Sequence, residues 1–162
     1  MASARPRRGR RLRWAAAPGL LLGLLACAED AAPEQIVRRQ INAALEAARD
    51  RDVGDVFEHV ADPFQGPRGS SRAEVKRVVA GHFLRSGWMT VFAPRVDVAA
   101  AEDGAIKATI DLVMARGEPV ESLEDVLPSR ADRFTLRTTS RNVDGTWRFV
   151  AAEIDRGPAL PR

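Results

Sequence analysis

Residues 131–155 read ADRFTLRTTSRNVDGTWRFVAAEID, and the fold follows from how this stretch pairs with itself. An Asp-Gly dipeptide between two alternating runs marks a two-residue hairpin turn, because both central residues must adopt positive φ. A strand over Ala131–Val143 therefore turns at Asp144-Gly145 and returns over Thr146–Asp155. With that turn, Val143 pairs with Thr146, Arg141 with Arg148 and Ser140 with Phe149. Continued without a slip, one face carries Phe134, Leu136, Thr138 and Ser140 beside Trp147, Phe149, Ala151 and Glu153. The other carries Arg133, Arg137, Arg141 and Arg148 with Thr135 and Thr139. The first face is apolar and is expected to be concave and packed on helices. Glu153 is its anomaly, since a carboxylate facing a core must be paired, neutral or beside water.

Upstream, Ile106, Ala108, Ile110, Leu112 and Met114 alternate with Lys107, Thr109 and Asp111, which predicts a half-buried strand over Ala105–Arg116. Glu102-Asp103-Gly104 is a turn, and Thr90–Ala100 precedes it as a strand bent near Pro94. Gly117–Arg130 is an acidic connection with a short helix expected at 121–127. Before Trp88 the period is helical. Val37, Ile41, Ala44, Leu45 and Ala48 form one stripe of a helix over residues 33–49, with Pro33 at its first position. A short second helix buries Val53, Val56, Phe57 and Val60 and ends at Asp62-Pro63. Ser71 and Glu74 fit a capping box opening a third helix. Its inner stripe is Val75, Val78, Val79, His82 and Phe83, and Gly87 is its expected stop. Three helices followed by four antiparallel strands define an α+β domain over residues 33–157, with the helices packed on one sheet face and a tail at 158–162.

The first 27 residues differ in kind. They hold six arginines and no acid, and an apolar run of about a dozen residues follows Trp14. That run is short of the roughly 20 residues a membrane-spanning helix needs, and it suits the apolar core of a signal peptide over residues 1–26. Leu24-Leu25-Ala26-Cys27 resembles a bacterial lipobox. The resemblance implies cleavage before Cys27, a diacyl group on its sulfur and a further acyl chain, palmitate for example, on the new amino terminus. Two or three chains anchor stably where one is marginal. The mature protein is then expected at the bacterial cell envelope, lipid-anchored and periplasm-facing. Residues 27–32 form the lipidated cysteine and a short tether.

Location of charge decides the partners. The chain carries 25 basic and 22 acidic residues. Without the six leading arginines, 19 basic residues face 22 acidic ones, so the basicity belongs to the leader and nucleic acid is not an expected partner. A single cysteine rules out an internal disulfide, and two histidines (His59, His82) make a histidine-rich metal site a poor expectation. No metal or other cofactor is implied.

The order of elements and several short stretches resemble the nuclear transport factor 2-like superfamily, which includes ketosteroid isomerase-like and SnoaL-like domains. The likeness rests on Arg49-Asp50-Arg51-Asp52, Asp62-Pro63-Phe64, Ser71-Arg72-Ala73-Glu74-Val75 and the closing Asp144-Gly145-Thr146-Trp147-Arg148. It implies a curved sheet wrapped round helices as a cone, the cystatin-like α-β roll, often with an internal pocket and often dimeric. Such a fold hosts many activities. Ketosteroid isomerase uses a carboxylate base and a tyrosine in its oxyanion hole. This sequence has no tyrosine, which excludes that arrangement and the usual form of scytalone dehydratase. No motif supports the Asp–Arg–Asp group of limonene epoxide hydrolase.

The candidate pocket residues are therefore His82, Glu153, Asp62, Phe83 and Trp147, and the candidate interaction face is Arg133, Arg137, Arg141 and Arg148. Each has a plain structural alternative: a strand-end carboxylate for Glu153, a hydrogen-bonded rim histidine for His82, a turn-forming Asp62, and a solvated strand face for the arginines. The leading expectation is a non-catalytic envelope lipoprotein that binds a small apolar ligand or a protein partner. The alternatives are an acid–base enzyme (isomerase, dehydratase or hydrolase type) acting in the cone and a structural envelope component using the arginine face.

Overall fold

In the computed structural model, Pro33–Asp50 forms helix α1, and a left-handed Arg51 (φ 60°) closes it. The N–H groups of Arg51 and Asp52 bond back to Ala48 and Ala47, the usual way a helix satisfies its last carbonyls. The described residues are 31–85, 89–116, 122 and 131–157. Cys27 and the expected signal peptide lie outside them, as do Gly87, Trp88, the segment expected to be helical at 121–127 and the tail at 158–162.

Asp52 caps a single helical turn, α2 (Val53–Val56), its side chain accepting from the Asp55 N–H. The chain then departs from expectation. Val60–Gln65 is a strand, β1, and the Asp62-Pro63 peptide within it is cis. Proline read as a helix stop here sits instead in an edge strand, where a missing N–H costs no ladder bond on the open side. A 3-10 turn at Pro67–Gly69 leads to helix α3 (Arg72–Arg85). The capping box opening α3 is present. Glu74 Oε2 accepts from the Ser71 N–H at 2.8 Å, and Ser71 Oγ accepts from the Glu74 N–H at 3.3 Å.

Strands β2 (Met89–Ala100), β3 (Ile106–Arg116), β4 (Ala131–Val143) and β5 (Thr146–Arg156) follow as three antiparallel pairings. β1 adds to β5 in parallel, giving the order β1-β5-β4-β3-β2. The expected four antiparallel strands are thus a five-stranded mixed sheet. The hairpin turn is as anticipated, with both Asp144 (φ 50°) and Gly145 (φ 80°) left-handed.

The register of that hairpin holds from Val143↔Thr146 to Ser140↔Phe149 and then slips, so that Thr139 faces Ala151. Val150 is the extra residue of a bulge. Past it, Ala152, Ile154 and Arg156 oppose Thr138, Leu136 and Phe134, while Glu153 opposes Arg137. Because side chains alternate with period two, one inserted residue sends every later side chain to the other face. Glu153 therefore leaves the apolar face, and its anomaly disappears.

The apolar face packs into a core of Val37, Ile41, Val91, Ile106, Ala108, Ile110, Leu112 and Phe149, with Leu45, Val60, Phe83, Phe134, Leu136 and Trp147 against it. Three side chains of α1 tie the helix to strand carbonyls. Arg38 Nη1 donates to Val96 O at 2.9 Å and Arg49 Nε to Val91 O at 3.0 Å, both on edge strand β2. Eleven helical residues and five strand residues each span about 16 Å, so the two arginines match the two carbonyls. Gln40 Nε2 reaches β5 on the far side of the sheet, donating to Trp147 O at 2.8 Å. The N–H of Phe149, two residues on, donates to His59 O next to β1. α1 thus bridges the two sides of the curved sheet and closes it over its apolar face.

Candidate functional site

Among the mostly apolar residues of the concave face, three polar side chains are at least nine-tenths buried: Gln40, Thr138 and Ser140. Thr138 and Ser140 are two apart on β4, hence on one face, opposite Ala152 and Phe149. Ser140 has no exposed surface. Gln40 comes from α1 and is anchored on the neighbouring strand at Trp147. Its Nε2 donates to a carbonyl, which fixes the amide orientation and leaves Oε1 an acceptor. Oε1 of Gln40 and the hydroxyl oxygens of Thr138 and Ser140 have no hydrogen-bond partner among the described residues. A buried polar group without a partner costs about 1–3 kcal/mol. The trio offers one acceptor and two groups that both donate and accept. None of the three titrates.

The residues singled out from sequence are distributed differently. Phe83 and Trp147 do pack against the core. His82 is half-buried on α3, and Asp62 is exposed on β1. Glu153 is exposed on the outer face opposite Arg137, because of the bulge. On that face Arg137 pairs with Asp155 and Arg141 with Asp103. Arg133 is exposed and Arg148 half-buried. The arginine ladder is therefore partly neutralised by the chain's own carboxylates. The Asp103 carboxyl is held below its ordinary range by the Ala105 N–H and then by the Arg141 guanidinium. Glu74 is lowered by the backbone N–H and then the hydroxyl of Ser71.

Gln40 escaped the sequence reading, although a signal existed. It falls between Val37 and Ile41 on the inner stripe of α1, where a polar residue must find a partner. Thr138 and Ser140 were placed on the correct face but not marked as a site. Among the described residues, no group of three His, Cys, Asp or Glu side chains is arranged to hold a metal. No described helix is long and apolar enough to cross a membrane.

Comparison with solved structures places the fold among the nuclear transport factor 2-like, or cystatin-like, α+β cones. A Pseudomonas putida protein of this type, of unknown function, superposes with TM-score 0.63 and 17% identity over 78% of this chain and 92% of its own. A Nostoc punctiforme protein with a cystatin-like fold gives TM-score 0.58 at 15% identity, over 78% and 92% of the two chains. A provisionally assigned dehydratase of the same structural family from Streptomyces avermitilis gives 0.60 at 15% identity, over 78% and 96%. No protein-family model and no curated protein sequence matches the chain.

Proposed function

We propose that this is a lipid-anchored cell-envelope protein, attached through Cys27, whose cone-shaped domain binds a small, mainly apolar ligand without transforming it. One observation carries the binding reading: the three buried, unpartnered polar atoms of Gln40, Thr138 and Ser140 on an otherwise apolar concave face. An apolar site with a few placed polar groups is the usual form of a small-molecule site, in which apolar surface supplies affinity and the polar groups fix orientation. The acid–base alternative needs a titratable group beside the ligand. Glu153 and Asp62 are exposed, which leaves that reading with His82 on α3. The interaction-face alternative has Arg137 and Arg141 already engaged by Asp155 and Asp103.

Residues 31–162 form one compact unit with its own core, so the reading is testable on residues 28–162 without the lipid. Native mass spectrometry is expected to show a co-purified small molecule, lost in Gln40→Leu and in Ser140→Val. A bare protein mass from several expression hosts, with no ligand found by screening, would sink the reading. The same spectra report whether the domain is a monomer or a dimer. Anchoring is tested separately: Cys27→Ala is expected to leave the membrane fraction, and lipid still carried by that variant would refute it.

A further inference from the structure

Helix α3 half-buries Val75, Val79, His82 and Phe83 of its expected stripe but leaves Val78 outside, and Leu84 also faces out. Val78 is 68% exposed and Leu84 87% exposed. At about 100° per residue, Leu84 lies beside Arg77 on one line of the helix surface and Val78 beside Arg85 on another, with Gly81 between them. A Cβ built on Gly81 would stand 3.3 Å from Arg85 Nη2, so the guanidinium lies back over the glycine, between the two apolar side chains. Arg77 and Arg85 are exposed, as is Arg68 in the preceding turn, and Lys76 is half-buried. None of these four cations enters an ion pair among the described residues. The acid on this arc, Glu74, is hydrogen-bonded by Ser71 and feels the charge of Arg77 more weakly, without forming an ion pair with it. The outer sheet face differs, since its arginines at 137 and 141 already have carboxylate partners.

We infer that α3 is a headgroup-docking helix: Val78 and Leu84 enter the interfacial layer of an anionic leaflet while Arg68, Arg77 and Arg85 meet its phosphates. The inference rests on the lipid-anchor reading for its geometry. From Cys27 the tether Ala28–Ala32 reaches only about 17 Å when extended, so the domain stays at the headgroups and some surface of it must face them. Charge selects which one. Exposed apolar side chains interleaved with arginines that have no ion pair among the described residues match a negative surface, because the long stems lie along apolar material while the charged heads reach phosphate. A second copy of this surface would bring three cations against three and is disfavoured for the same reason. Each basic residue near an anionic surface strengthens docking about fivefold.

The experiment uses the full lipidated chain. Cys27 is its one cysteine and is consumed by acylation, so Leu84→Cys supplies a single thiol for an environment-sensitive dye. The protein is reconstituted into vesicles of phosphatidylcholine with or without phosphatidylglycerol. The expected result is blue-shifted emission, quenched by spin-labelled lipid, on the phosphatidylglycerol vesicles only. A dye at Glu153→Cys on the outer face should stay in water. Replacing Arg77 and Arg85 by glutamine should lower the docked-to-undocked ratio about 25-fold, fivefold for each charge. A dye at residue 84 that stays in water on anionic vesicles, or docks equally on zwitterionic ones, overturns the proposal. A shift that needs no vesicles and grows with protein concentration also overturns it, in favour of a second copy. Intact mass reads the anchor independently: docking with an unmodified Cys27 keeps the α3 surface and removes only the lipid, whereas an acylated Cys27 without docking removes only the surface.

Discussion

Replacing Ser140 by alanine removes one oxygen from a position with no exposed surface, opposite Ile106 on one side and Phe149 on the other. In the ligand-free protein that oxygen has no partner among the described residues. Deleting it recovers about 1–3 kcal/mol of desolvation. The void left by one oxygen, about 20 Å³, costs about 0.5 kcal/mol. The net expectation is a ligand-free domain about 0.5–2.5 kcal/mol more stable. For about 130 residues, 1 kcal/mol corresponds to roughly 4 °C, so Tm should rise by roughly 2–9 °C. The ligand-bound protein should respond in the opposite sense. Loss of a hydrogen bond worth about 0.5–1.5 kcal/mol weakens affinity about 2- to 12-fold. Thermal denaturation with and without the co-purified molecule measures both terms. If Ser140→Ala lowers the Tm of the ligand-free protein, the hydroxyl already has a partner there, and the argument for a recognition group fails.

Deleting Val150 should remove the bulge while Ala151 stays opposite Thr139, Glu153 opposite Arg137 and Asp155 opposite Thr135, so urea denaturation should show a cooperative transition with only a small loss of stability; a loss of several kcal/mol, as expected if the deletion turned those carboxylates to the other face, would refute the bulge assignment. Ser71→Ala should cost about 1 kcal/mol through the α3 cap, read from the same denaturation curves. Glu74 and Asp103 both have lowered folded pKa values, so their stabilisation is present above the ordinary carboxylate pKa, about pH 4, and is lost as pH falls through the lowered values. A stability profile between neutral pH and pH 2 checks this sign, and Ser71→Ala should flatten its acid limb. Arg38→Met with Arg49→Met should leave the core intact but free two carbonyls of edge strand β2; faster aggregation at unchanged core packing is expected, and light scattering equal to wild type would refute the edge-sealing role.

Much of this architecture was legible because its signals are local. Asp144-Gly145 sets a left-handed turn through its own backbone preferences, Ser71 and Glu74 satisfy each other within one helical turn, and the inner stripe of α1 repeats at helical spacing. Each interaction joins residues near in sequence, so neighbours suffice to predict it. The helix-then-sheet order and the apolar concave face follow from such signals. Three features do not. The bulge lies in Val150-Ala151-Ala152, where two adjacent alanines fit either face and leave no alternation to reveal the slip. β1 pairs with β5, which lies more than eighty residues later in the chain, and its Pro63 reads locally as a terminator. Val78 follows the apolar pattern of α3 yet faces outward, because packing on β1 sets which arc of the helix is covered. The candidate site divides in the same way. Local pattern alone puts Thr138 and Ser140 on the apolar face and Cys27 in a lipobox-like setting. Only the tertiary structure removed Glu153 from that face and brought Gln40 across from α1 to Trp147, since strand register and helix-to-sheet contact are settled by residues far apart in the chain.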